Sequence, residues 1–424
     1  MLSQLAIIGQ SVVLMVLAGH RGAAVLGAVA IGTNVWNLAI MAMVGTMMAL
    51  SPSVSQLDGA GRRGETGALF RQALWLGLAL GMVLGAAMFA GGPALAAAMG
   101  VDAALLPGVR AFLHAMSFGA PAVSLFLACR GLSEGLSHPR PATLICTLGL
   151  VLLGPIGYAL MFHLGLGALG AGLTEAAVVW LQLAVFALYL RGSRLYQGIG
   201  WGAGRRGPDL AAIGGLFRLG APMAGSVLME VGMFSATALL VGRFGAAAIA
   251  SHQIALSVAS VSFMVPLGLA MAITVRVGHA VGRGDAIGVR RAAYGGMALA
   301  LTSQAIACAA MLTLPGRIAS LYTDDPTVLR AAVGLLFLAA LFQLSDGVQV
   351  ACNGALRGLK DARAPMLITM LAYWGVGMPV GWALAFPAGG RTPGMWVGLI
   401  AGLSVAAILL LARFRIVAGR VAAE

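Results

Sequence analysis

The chain has 424 residues, of which 60% are hydrophobic and 9% charged, and its mean hydropathy is +0.96. A soluble domain carries about 25% charge, so this composition excludes a soluble globular protein and specifies a polytopic membrane protein. The formal net charge of +13 does not mark a nucleic-acid binder, because the basic residues gather in alternate loops and not on one patch.

A membrane-spanning helix needs about 20 apolar residues. Twelve such stretches follow one another at 2–19, 26–52, 69–97, 106–130, 141–163, 167–190, 212–241, 247–277, 290–314, 328–354, 365–387 and 394–414. They are far longer than the ~10-residue alternating segments of a membrane β-barrel, so the expected class is all-α. No basic n-region precedes the first stretch, so no cleavable signal is expected. Loops after even-numbered stretches, with the C-terminal segment, hold twenty of the 26 basic side chains, among them Arg62, Arg63, Arg205, Arg206, Arg290, Arg291, Arg357 and Lys360. The positive-inside rule then places both termini in the cytoplasm.

Two acids interrupt this pattern. Glu230 lies within MAGSVLMEVGMFSATALLV and Asp346 within LFLAALFQLSDGVQVA. An ionised carboxylate at bilayer depth costs at least ~2.5–3.5 kcal/mol on insertion scales. The pair therefore reads as a cation or proton site, against the plainer reading of two carboxylates that bond a neighbouring helix. Cys129, Cys146, Cys308 and Cys352 all fall in or at the ends of apolar stretches without a CxxC spacing, and read as reduced core residues. Of the six histidines, His114 is the only one placed well inside a stretch, and a lone buried histidine reads as packing. No GxxxxGK[ST] or HExxH motif is present and the histidines are scattered, so neither ATP-driven transport nor metal-assisted hydrolysis is expected and the chain reads as a non-enzyme.

The sequence also repeats itself. At an offset of 223 residues GAAVLGAVAIG (22–32) faces GAAAIASHQIA (245–255), and Cys129, Gly131, Gly135 and Arg140 face Cys352, Gly354, Gly358 and Arg363. One added residue later, Gly157 and Phe162 face Gly381 and Phe386. Six spans per repeat preserve orientation, so the halves relate by an axis along the membrane normal. The expected domains are an N-lobe over 1–195, a linker over 196–209, and a C-lobe over 210–424.

LAGHRGAAVLGAVAIGTNVW with ALSPSVSQLDGAGRRGE, and in the second half LMEVGMFSATALLVGRFGAAAIASHQIAL, VPLGLAMAITVRVGHAVGRGD and FQLSDGVQVACNGALRGLKD, resemble the NorM-like branch of the multidrug and toxic compound extrusion transporters. The resemblance implies twelve helices in two pseudo-symmetric six-helix lobes around a central V-shaped cavity. It implies a monomer in the bacterial inner membrane exporting organic, often cationic and aromatic, compounds by antiport with Na+ or H+, without a cofactor. It places Glu230 and Asp346 at the family's C-lobe cation site, where they would also be the ligands of a bound Na+. The family's tyrosine four positions before that aspartate is Phe342 here, and its first-helix aspartate is Leu14. The family's Leu-Pro-rich opening is absent, so the first helix is expected to begin short. Glu175, near the start of the sixth stretch, is a candidate to take over part of the lost aspartate's role, with a hydrated position at the outer rim as the alternative. Asn34, Asn37 and Gln253 are candidate cavity residues by the same resemblance.

Major-facilitator and lipid-flippase transporters are the rival readings. GAGRRGE superficially matches the loop signature of the first but lacks its acidic-basic pair. The second favours a basic cavity, and no arginine falls at mid-span. Na+ and H+ both suit a carboxylate pair.

Overall fold

The computed structural model describes residues 2–202 and 207–420. Arg205 and Arg206 of the expected linker lie outside them. Among the described residues the chain is helical with no strand. Eleven stretches are long and apolar enough to cross a membrane, and a twelfth is a pair of helices bent by 46°. The expected spans are all found, and several helices run one or two turns past the apolar stretch into the polar ends.

The chain divides into two compact units, Met1–Ala224 and Gly225–Glu424. The first contains α1 (Leu2–Arg21), α2 (Ala23–Met47), α3 (Leu50–Gly59), α4 (Thr66–Ala98), α5 (Leu106–Ser117), α6 (Ala120–Gly135), α7 (Arg140–Tyr158), α8 (Gly167–Gly192) and the opening half of α9 (Leu210–Gly242). The second contains the rest of α9, then α10 (Ala246–Gly282), α11 (Ala286–Thr313), α12 (Pro315–Ser320), α13 (Pro326–Gly358), α14 (Arg363–Met370), α15 (Met378–Ala385) and α16 (Arg391–Arg420). Two π-helical turns, Ala159–His163 and Leu371–Gly377, continue α7 and join α14 to α15.

In the first unit the fourth span is the bent one. Gly119 separates α5 from α6, and Pro121 stands in the first turn of α6. Proline lacks the N–H that would carry the ladder across, so the axis turns there. In the second unit the fourth span, α13, is unbroken, and α10, α11 and α16 pack around it. Close approach there depends on small residues. A Cβ on Gly354 would lie 2.5 Å from the Ala270 carbonyl oxygen, and one on Gly358 would lie 2.7 Å from that of Thr274. The Thr274 hydroxyl donates to the Gly354 carbonyl at 2.8 Å across the same contact.

Large apolar side chains such as Leu144, Leu188, Leu239, Val261 and Ile408 remain exposed, as expected where lipid is the solvent. The four cysteines are buried and unpaired. One expectation is corrected. His114 is only half-buried and stacks on Phe89, whereas His252, placed by hydropathy at the edge of its span, has no exposed surface and packs edge-on against Trp396. A helix that starts at Ala246 carries position 252 more than a turn inside.

The described part of the linker is docked on the first unit. The Gly67 N–H donates to the Ile199 carbonyl at 2.7 Å, and Arg63 donates to that of Leu195 at 2.5 Å. Tyr196 is fully buried with its hydroxyl 2.5 Å from that of Ser133.

Candidate functional site

Most of the acids have local structural partners. Asp285 and Asp325 cap α11 and α13 by accepting backbone N–H groups at 2.7 Å, which satisfies helix-start donors. Asp102 and Asp209 accept backbone N–H groups in the same way. Glu65, Asp58, Glu134 and Asp361 pair with Arg62, Arg63, Arg130 and Arg413. The exposed Glu65–Arg62 contact holds the Glu65 carboxyl below its ordinary range through the guanidinium hydrogen bond. Asp324 is exposed at a loop. Three described acids remain with neither a cap nor a close ion pair, and all three lie inside spans: Glu175, Glu230 and Asp346.

Glu230 and Asp346 come together. Asp346 is 2% exposed and stands twelve residues before the end of α13. That is ~18 Å along the axis, near the ~15 Å half-thickness of the hydrocarbon core. Glu230, on the part of α9 that belongs to the second unit, is half-buried. The two carboxyl groups lie within each other's electrostatic reach. A polar shell surrounds them. Gln349, fully buried and three residues after Asp346 on the same face of α13, interacts with Glu230 and donates from Nε2 to the Tyr373 hydroxyl at 2.7 Å. Tyr373, fully buried, comes from the π-helical turn, and its phenol lies in the field of both acids. The next residue, Trp374, donates from its indole nitrogen to the Met229 carbonyl at 3.3 Å, beside Glu230. The Arg357 guanidinium, in the last turn of α13, also acts on Glu230. Sequence reasoning missed Gln349, Tyr373 and Arg357. The i, i+3 spacing from Asp346 was the available signal for Gln349. Arg357 was counted with the loop charges because it stands one position from the helix end.

Phe342 turns elsewhere. It is 3% exposed and packs on Phe234 and Trp396, with ring centroids 6.0 and 5.8 Å away. Glu175 is half-buried on α8 in the other unit, with no hydrogen bond or ion pair. Leu14 is 1% exposed in the apolar core of the first unit. Asn34, Asn37 and Gln253 are exposed on the surfaces of their own units. Among the described residues no three His, Cys, Asp or Glu side chains cluster as metal ligands. The donors around Glu230 and Asp346 are oxygens, a set that suits a hard cation or a proton and not a transition metal.

A family model described as MatE matches residues 1–159 and 222–383. The chain belongs to the MatE family. This MatE chain is 48% identical over 404 residues to a probable multidrug resistance protein NorM of Xanthomonas axonopodis pv. citri, covering 94% of this chain and 88% of that one. It is 38% identical over 423 residues to the multidrug resistance protein PmpM of Pseudomonas aeruginosa, covering 97% and 88%. Its fold is that of a MATE crystal structure in the bent conformation, with a TM-score of 0.92 at 17% identity over 99% of this chain and 93% of that one. It also matches the eukaryotic MATE transporter AtDTX14, with a TM-score of 0.86 at 21% identity over 100% and 95%. The all-α, twelve-span architecture expected from the sequence is the MatE architecture, and the major-facilitator reading falls with that match.

Proposed function

We propose that this chain is an antiporter that exports organic compounds, often cationic and aromatic, from the cytoplasm in exchange for a cation. The observation that carries the reading is the meeting of the half-buried Glu230 and the buried Asp346, two acids with no capping role, inside one unit of a MatE protein. The relatives' names, multidrug resistance proteins, supply the substrate class. The two lobes, 1–195 and 210–424 with the linker 196–209 between them, exchange access to the two sides. A ligand shifts such an equilibrium only by its differential affinity for the two states. The cation must therefore hold Glu230 and Asp346 more tightly in one state, and the drug must favour the other. The membrane potential contributes about 2.3 kcal/mol per charge per 100 mV, and a concentration gradient of the ion adds to it. Coupling is left to Glu230 and Asp346, without Glu175, which stands without a partner on α8, and Asn34, Asn37 and Gln253 line the substrate path.

The basic residues orient the protein in a bacterial inner membrane with both termini in the cytoplasm. Export of a fluorescent cation from proteoliposomes, with Na+ and pH gradients imposed separately, tests the function. Export should follow at least one gradient and stop when it is dissipated; export indifferent to both would overturn the reading. Arg62→Cys and Arg290→Cys should resist an impermeant thiol reagent added outside intact cells, and strong labelling at either would reverse the orientation.

A further inference from the structure

Twenty of the 26 basic side chains follow the positive-inside pattern; the others fall on the opposite side, where orientation does not call for them. Some of these have local partners. Arg21 and Arg391 lie over the rings of Phe162 and Phe244, and Arg330 donates to the Pro326 carbonyl at 3.1 Å. Arg110 is exposed and has no hydrogen bond or ion pair among the described residues. It lines a cavity of about 530 Å3 between the end of α4 and α5, within the first unit. Small-molecule sites occupy ~300–1,000 Å3. The volume stays unfilled because Pro93, Ala103, Pro107 and Ala111 are too short to reach across it. His114, one turn after Arg110, lines it too. Its ring stacks on Phe89 with centroids 4.1 Å apart. Its nitrogens have no hydrogen bond among the described residues, so an imidazole N–H is free in either tautomer. No acid lines the cavity, and Asp102, in the loop before α5, already accepts the Ala104 N–H at 2.9 Å. Positions 110, 114 and 118 share one face of α5 and its C-terminal end. From the loop inward that face carries a guanidinium, an imidazole and then Phe118, which is exposed and meets Phe89 edge-on at 6.3 Å. The three groups span ~12 Å along the axis, from charge at the loop end to aromatic carbon nearer the bilayer centre.

We propose that this cavity binds one anionic phospholipid, with its phosphodiester held by Arg110 and His114 and the start of an acyl chain laid over Phe89 and Phe118. That the leaflet is the outer one rests on the orientation proposed above; the binding itself does not. A guanidinium recognises phosphate through parallel N–H donors, and the imidazole N–H adds another from the adjacent turn. The headgroup must carry no cation of its own, because a choline or ethanolamine group would find no acid along the cavity walls. An arginine that only extends toward water at the membrane edge requires neither a cavity beside it nor a free donor one turn deeper. The order of groups along α5, charge and then exposed ring, is the order in which a lipid presents its headgroup and chain. Basic pockets between spanning helices suit lipid headgroups for the same reason.

Native mass spectrometry of the purified full-length protein in neutral detergent tests this, with dioleoyl phosphatidylglycerol and dioleoyl phosphatidylcholine titrated separately. The wild type should retain one phosphatidylglycerol about 10-fold more tightly than one phosphatidylcholine. Arg110→Gln should weaken phosphatidylglycerol binding about 10-fold or more, and His114→Phe, which keeps the stack on Phe89, about 2- to 10-fold. Neither side chain gives up an internal hydrogen bond, so Tm should hold in both. Arg243→Gln removes an exposed charge from the same side of the membrane and should leave binding unchanged. Inorganic phosphate at millimolar concentration should not displace the lipid, because it brings no chain to lie on the aromatic rings. Equal affinity of the wild type for the two lipids would overturn the proposal. So would unchanged affinity in both Arg110→Gln and His114→Phe, or an equal loss in Arg243→Gln, the mark of a diffuse surface attraction. Displacement by inorganic phosphate would also overturn it, by making the site one for a free anion. These outcomes strike the site and leave the orientation standing, whereas reversed thiol labelling strikes the orientation and moves the lipid to the other leaflet.

Discussion

The two units are built on one repeat, yet buried charge is handled differently in each. At the 223-residue offset Asp346 faces Val123, Gln349 faces Phe126 and Glu230 faces Ile7. Glu134 faces Arg357, and Arg130 faces Asn353. In the first unit the charge is closed within one helix, because Arg130 donates to Glu134 one turn away at 2.6 Å. In the second unit the corresponding neighbour is a neutral asparagine, so the Arg357 charge is available to Glu230 on another helix. What the repeat preserves is packing: Gly131 and Gly135 seat α6 on α3, as Gly354 and Gly358 seat α13 on α10. The proposed function thus confines chemistry to one copy of a scaffold that both copies share.

The sharpest way to break this comparison is to remove the acids. Glu230→Gln and Asp346→Asn should each nearly abolish gradient-driven dye export while the protein still purifies as a single species, because an amide keeps the shape and loses the charge. Full export from either variant at normal expression would return the second unit to a packing role. Next in size is the pair of arginines. Arg130→Gln leaves the half-buried Glu134 without its partner and should cost at most about 3 kcal/mol, read as a lowered Tm. Arg357→Gln, with no close ion pair to lose, should leave Tm nearly unchanged and alter ion dependence instead. Equal Tm losses in the two would erase the distinction.

The glycines probe what the units share. Gly354→Ala drives a methyl against the Ala270 backbone, while the nearest atoms at Gly131 belong to the Leu50 side chain at 3.3 Å and can shift. Gly354→Ala should lower stability by about 1–3 kcal/mol and Gly131→Ala by less, measured by thermal unfolding in one detergent. The smallest effect is expected from Glu175→Gln. With no partner on α8, Glu175 should leave the pH profile of export unchanged on removal. A displaced profile would give the first unit a coupling acid of its own.

Hydropathy alone made the spans and both central acids legible, because a charge inside twenty apolar residues stands out in any register. The rest of the site was not. Gln349 is a neutral residue among valines, and its role depends on which face of α13 meets Tyr373. That face is set by a helical turn of unusual width, which composition does not encode. His252 was misplaced although its stretch, from 247, begins only one residue after the helix start at Ala246: five residues already carry it past the first turn, and its burial depends on Trp396 from another helix.

That wide turn has a history written in the repeat. The offset between the halves is 223 residues at Arg140 and Arg363 and 224 at Gly157 and Gly381, so the second half holds one extra residue between them. The π-helical turn Leu371–Gly377 occupies this interval. A regular helix given one additional residue must either rotate everything downstream by ~100° or store the excess as a π-bulge. The chain stores it, so Gly381 still meets α16 at Gly398 while Tyr373 is presented in a direction its first-half counterpart, Gly149, never needed. An insertion of a single amino acid would thus have been enough to bring a phenol to a pair of carboxylates, and deleting one residue from 371–377 should undo the delivery while leaving both ends of the span in place.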